Sequence, residues 1–190
     1  MTGGKVQYVA KGGNFRTHGF EYTGVLKIFK VLLSYEYLWN LIRVQGGAYG
    51  AMAVFTRYGA GFTSFRDPNI SATDKVYQGI ADYAASYEAD EREMTKSVIG
   101  AISTLDTPLS PSQEGSRALL AYLTGYTSED VQRERDQILE ADAKDIRALA
   151  PMLKAVLSEN AVCAIVNESQ LKTEDISFDK VELLYSTGEV

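Results

Sequence analysis

The sequence predicts an α+β fold: a two-layer sandwich in which a mostly antiparallel sheet packs against helices. Three observations predict it. Alternating or β-branched runs lie near both ends of the chain, at 5–13 and 160–167, and a hairpin-like stretch occupies 48–69. Long segments with apolar residues at helical spacing fill the rest. No internal repeat or low-complexity linker interrupts the 190 residues, so they read as a single domain over 1–190, and a 45% hydrophobic content suffices for a sizeable core.

The elements follow in order. KVQYVAKGG (5–13) alternates Val6, Tyr8 and Ala10 against polar neighbours and closes on two glycines, which marks a strand and turn. EYTGVLKIFKVLLSYEYLWNLIRV (21–44) places Leu26, Phe29, Leu33 and Tyr37 at helical spacing, with Val25, Ile28, Leu32 and Trp39 widening the stripe. An apolar face that wide predicts a helix held between the sheet and a further layer. AYGAMAVFTRYGAGFTSFRDPN (48–69) reads as a hairpin: Ala48 to Arg57 outward, YGAG as the turn and Phe62 to Arg66 back, ended by Pro68.

Helices are predicted over 71–89, opened by a capping pattern of Ser71 and Asp74, and over 90–106, with acidic residues in the first turn. A third, over 110–126, starts on Ser110, Pro111 and Gln113. TSEDVQRERDQILEA and DAKDIRALAPMLKAVLSE continue the helical layer, with a break expected at Pro151. NAVCAIVN (160–167) has the composition of a buried strand, and KVELLYSTGEV reads as a last strand or a loosely held tail.

Composition excludes several functions. A net charge of -6 without a Lys/Arg cluster argues against nucleic-acid binding. No run nears the roughly 18 apolar residues of a membrane span, and MTGGKVQYVAKGG lacks the apolar region of a signal peptide. The lone Cys163 excludes an intramolecular disulfide and fits a reducing compartment. One His and one Cys fall short of the three or four ligands of a zinc site built from these residue types, so no metal is expected on this chain. His18, in FRTHGF, reads as a surface or capping residue, and Cys163 as a small hydrophobe in the core. YEADERE (87–93) lacks calcium-loop spacing and reads as a solvated helix junction. GGAYG is no phosphate loop, because no Lys-Ser/Thr follows and the glycines lead into a strand.

That leaves LIRVQGGAYGAMAVF (41–55), where a helical pattern gives way to a strand. Structurally, Arg43 suits a helix C-terminus and Tyr49 is a strand aromatic. Functionally, Gly46 and Gly47 let another backbone approach, while a phenol and a guanidinium together can hold a carbonyl oxygen as it becomes an oxyanion. Residue type and spacing do not separate these readings.

The stretch YLWNLIRVQGGAYGAMAVFTRYGAGFTSFRDPN resembles the C-terminal domain of the presequence-protease branch of the insulinase-like, pitrilysin-type zinc metallopeptidases. The resemblance rests on Arg43-Val44-Gln45-Gly46-Gly47-Ala48-Tyr49-Gly50 and on Phe65-Arg66-Asp67-Pro68-Asn69, and KVQYVAKGGNF and LDTPLSPSQEG extend it from near residue 5 to about 167. It implies an insulinase-family metallopeptidase-homology domain. In that family two halves close over short unstructured peptides; zinc and a glutamate of a His-x-x-Glu-His motif on the N-terminal half activate water. By the same resemblance Arg43 and Tyr49 contact substrate and its scissile carbonyl; Gly46 and Gly47, lacking side chains, are expected to let the peptide backbone approach. This chain contains no His-x-x-Glu-His. It is therefore expected to be inactive alone, to partner the N-terminal half, to contact peptide but neither nucleic acid nor membrane, and to self-associate through surfaces that normally meet neighbouring domains. Two rivals are a non-catalytic scaffold of the same family, in which the Arg/Tyr pair is idle, and a separate hydrolase using His18 with an acidic partner.

Overall fold

The computed structural model describes residues 7–183. Four strands form one antiparallel sheet in the order β2-β3-β1-β4: β1 (Gln7–Gly13), β2 (Gly50–Phe55), β3 (Ala60–Asp67) and β4 (Ala161–Ile165). Lys5 and Val6, predicted to begin the first strand, lie outside the described residues, as do 184–190 of the predicted last strand; 180–183 form no strand. Helices cover one face. The buried Val9, Ala53 and Phe62 point into them, and a chain of rings carries the core outward: Phe29 to Phe55 (6.0 Å), Phe55 to Phe62 (6.1 Å) and Phe62 to Tyr77 (5.9 Å).

The alternation that marks β1 runs against the usual sense. Gln7, Val9 and Lys11 face the helices, while Tyr8 is exposed on the other side. Among the described residues the Lys11 ammonium and the Gln7 amide N–H group find partners, as burial requires, while Gln7 Oε1 accepts no hydrogen bond. Lys11 Nζ reaches Asp74 Oδ1 and Asn160 Oδ1, both at 2.8 Å, and Gln7 Nε2 donates to the Pro68 carbonyl at 3.1 Å.

The long helix predicted over 21–44 begins later and changes pitch. It is α-helical as α1 (Val25–Leu32) and then π-helical over Leu33–Tyr37 and Trp39–Gln45. The wider turns move the buried set to Leu33, Leu38 and Ile42, whose first step is five residues where α-helical spacing predicts three or four. Trp39, expected in the apolar stripe, is thereby 43% exposed.

The helix predicted over 71–89 is two helices, α2 (Ile70–Gln78) and α3 (Ile80–Ala85), parted at Gly79. Tyr37 causes the break: its hydroxyl donates to the Val76 carbonyl at 2.9 Å and occupies the space a Cβ on residue 79 would need. The cap of α2 is Asn69, whose side chain accepts from the Ala72 N–H, and not Ser71. Ser71 and Asp74 are buried within the helix instead, committed to Glu174 and Lys11.

The predicted starts at Asp90 and Ser110 are reciprocal capping boxes, with Glu93 and Gln113, opening α4 (Glu91–Leu105) and α5 (Pro111–Thr124). Next come α6 (Ser128–Leu139), α7 (Ala143–Ala148) and α8 (Ala150–Ser158), with Pro151 in the first turn of α8, then β4 and the short α9 (Glu168–Leu171). β4 pairs with β1 alone and forms the sheet edge; Cys163, predicted to be core, is exposed because it points to the uncovered face.

Glu134 ties α6 to the approach to α1. Its carboxylate accepts from Tyr22 Oη (2.6 Å) and Tyr126 Oη (2.5 Å) and pairs with Lys27 at 3.3 Å. Burial pushes its pKa up, but the hydrogen bonds from Tyr126 and Tyr22 and the Lys27 charge outweigh that and hold it below the ordinary 4.5. Burial and the same carboxylate push Tyr126 up to about 12. With the folded value depressed, Glu134 stabilises fully above its unfolded value and progressively less as pH falls through the folded one. Glu134→Gln should lower the unfolding free energy by about 1–3 kcal/mol at pH 7. The gap to wild type should close in acid, where both side chains are neutral; urea unfolding at pH 7 and pH 3 reads both, and a constant gap would exclude the charge as its source.

Candidate functional site

The helix ending at Gln45 and the strand starting at Gly50 meet in a turn built by Gly46 and Gly47. Gly47 has φ +78°, a left-handed conformation that glycine adopts without strain. Its N–H donates to the Arg43 carbonyl (3.0 Å) and the next N–H, of Ala48, donates to the Ile42 carbonyl (3.1 Å), so the turn closes the helix end. Gly46 sits so close to the Ile42 carbonyl that a Cβ would lie 2.6 Å from that oxygen. Both glycines are thus required by the turn, whatever else they do. A third, Gly50, lies under the Phe65 ring, 2.6 Å from where its Cβ would be.

Arg43 lies in the last helical turn, whereas Tyr49, expected in the strand, sits in the bend just before β2, and the structure brings the two together. The Arg43 guanidinium stacks 4.1 Å from the Trp39 ring and lies 5.6 Å from the Tyr49 centroid. The π-helical turn puts Trp39 under Arg43 and frees it from the core. Tyr49 is 57% exposed, and its ring packs on Phe65 at 5.5 Å and 55°. A second guanidinium, Arg66 at the end of β3, stands 5.3 Å from the same Tyr49 centroid. The sequence reading passes over Trp39 and Arg66 as site residues. The signal for Arg66 was present in Phe65-Arg66-Asp67-Pro68-Asn69, where a cation adjoins a carboxylate, a turn residue and a helix cap. Chemically, the cluster offers an exposed hydroxyl donor flanked by two planar cations, a set suited to carbonyl and carboxylate oxygens.

The other candidates lie elsewhere. His18 ends a single 3₁₀ turn (Phe15–His18), and its Nε2 meets Glu159 Oε1 at 2.8 Å, joining that turn to the end of α8. Among the described residues no three His, Cys, Asp or Glu side chains gather in a way that could hold a metal ion. Among those residues no helix is long and apolar enough to cross a membrane.

A family model for the PreP C-terminal domain matches residues 2–168. The chain belongs to that family. Among curated relatives of this PreP C-terminal domain, protein HypA of Clostridium perfringens is 44% identical over 183 residues, covering 96% of this chain and 19% of that protein. Presequence protease 1, chloroplastic/mitochondrial, of Arabidopsis thaliana is 32% identical over 169 residues, covering 88% of this chain and 16% of that protein. The chain therefore spans less than a fifth of the length of either relative. Pitrilysin shares the fold, with a TM-score of 0.60 at 14% identity over 85% of this chain and 18% of that one. A protease from Helicobacter pylori does so with a TM-score of 0.63 at 14% identity, over 86% and 41%. The α+β sandwich expected from the sequence is thus the architecture of pitrilysin-like domains.

Gly47→Ala should reduce stability by about 1 kcal/mol through backbone strain alone, since the added methyl meets no atom closer than 3.5 Å. Thermal unfolding measures it; an unchanged midpoint would mean that the left-handed turn is not fixed.

Proposed function

We propose that this chain is the substrate-closing domain of a zinc metalloendopeptidase that degrades short unstructured peptides, with Tyr49 and Arg43 as its contribution to the reaction. The observation that carries the reading is the convergence of an exposed phenol and a stacked guanidinium on one helix-to-strand turn, in a member of a family whose relatives are named presequence proteases. The metal of such enzymes would be held by the other, N-terminal half of the protein, which would be this domain's partner. A bacterial cytoplasm or an organellar matrix would suit such an enzyme.

On this reading Tyr49 Oη donates a hydrogen bond to the carbonyl oxygen of the bond to be cut. That bond strengthens as negative charge builds on the oxygen, which is the condition for a donor to accelerate a step and not merely to bind. Arg43 is held at one end by the Trp39 ring, so its free N–H groups orient the peptide backbone or the Tyr49 ring at small entropic cost. Gly46 and Gly47 add no side chains to the turn, leaving a surface on which an extended peptide can lie close to both residues.

Tyr49→Phe keeps the ring and its contact with Phe65 and removes only the hydroxyl. In the intact two-half protein, turnover of a fluorogenic peptide should fall about 100-fold or more, the usual effect of losing one oxyanion donor. The unfolding midpoint should stay near that of wild type. Unchanged turnover would remove Tyr49 from the chemistry and favour a scaffold role.

A further inference from the structure

Arg66 occupies a backbone conformation that arginine seldom adopts, with φ +50°. The strand register explains it. Tyr8 pairs with Phe65 but Gln7 pairs with Asp67, so Arg66 is the extra residue of a β-bulge. The left-handed region disfavours a side chain as large as Arg by on the order of 1 kcal/mol. The neighbours enforce it: Asp67 is buried and accepts from Ser64 Oγ (2.6 Å), Thr73 Oγ1 (2.7 Å) and the Asn69 N–H (2.9 Å), while Asn69 caps α2.

The bulge gives direction. Ser64 faces the helices and Phe65 the open side, so regular alternation would bury residue 66. The extra residue instead leaves Asp67 buried and Arg66 exposed, its guanidinium 5.3 Å from the Tyr49 ring that Arg43 also approaches. Among the described residues neither Arg43 nor Arg66 is in an ion pair with a carboxylate, whereas other cations of the chain are: Lys11 with Asp74, Arg133 with Asp130, Arg135 with Asp106. Two exposed guanidiniums on one ring repel each other, and a bound anion relieves that repulsion. Their planar N–H forks match a carboxylate.

We propose that Arg66, with Arg43, binds a carboxylate of the peptide substrate beside Tyr49, and that Arg66 is therefore a specificity-determining residue. The proposal rests on the reading of the Arg43/Tyr49 turn as a peptide site. The carboxylate is a peptide C-terminus or an Asp/Glu side chain.

Trp39, the one tryptophan in the chain, stacks on Arg43 and reports the site by fluorescence. The 190-residue chain would be titrated with three N-acetylated octapeptides of Gly, Ala and Ser. One has a free C-terminus, one is amidated and carries a single Glu, and one is amidated and uncharged. At least one carboxylate peptide should bind on the order of tenfold more tightly than the uncharged amide, and which one does so identifies the source. Arg66→Gly, which suits φ +50°, should abolish that preference while holding or raising the unfolding midpoint; Arg66→Lys should keep only part of it. Equal, saturable binding of all three peptides would overturn the role of Arg66 and leave the peptide site standing. A preference surviving in Arg66→Gly would likewise overturn it. No saturable signal from any peptide would contradict both readings.

Discussion

The buried carboxylate of Asp67 is the constraint on which the rest of the site depends. It accepts from Ser64 on its own strand, from Thr73 in α2 and from the backbone at Asn69, so one side chain fixes the end of β3, the chain reversal at Pro68 and the start of α2. Each of these hydrogen bonds would be modest in water. Inside the protein, leaving such a carboxylate unpaired is far more costly than the net gain of any one bond, so the three are held together. The bulge that aims Arg66 at Tyr49 follows from that arrangement, and with it the spacing of the cations around the phenol.

A second constraint works from the other side of the ring. The π-helical segment ending at Gln45 turns Trp39 out of the core and places Arg43 on it, and the left-handed Gly47 then delivers the chain into β2 within a few residues. Tyr49 is thus held between two independently fixed elements, a helix end and a bulged strand, with Phe65 packed against it. If the turn serves the proposed peptide site, this placement leaves its donors little reorganisation to make when substrate arrives. The open face of the sheet beside it carries Tyr8, Met52 and Val54, all exposed, and continues the surface on which an extended peptide would lie.

Much of this was legible in the sequence, and the failures have a common cause. Alternation and apolar spacing located β1, the hairpin and the helices, and the start at Ser110 was readable because its cap is a contact between residues three apart, although the same spacing misplaced the cap at Ser71. What escaped depends on partners distant in the chain. The break at Gly79 is made by the hydroxyl of Tyr37, and the buried fate of Ser71 and Asp74 is set by Glu174 and Lys11. The short apolar run at β4 looked like a core strand, but composition cannot tell which face of an edge strand is covered. The motif singled out Arg43 and Tyr49, whose proximity the structure shows. Arg66 was visible as part of a motif but not as a member of the site, since only the register of β1 against β3 reveals the bulge.

The most direct test of the central claim, that this domain completes a peptidase whose metal lies elsewhere, is cleavage of a fluorogenic unstructured peptide. The chain would be assayed alone and after mixing with the purified N-terminal half, each with zinc and with chelator. The account predicts no cleavage by the chain alone and chelator-sensitive cleavage by the mixture. Chelator-resistant cleavage by the chain alone would contradict it, as would an inactive mixture in which the two halves are shown to bind.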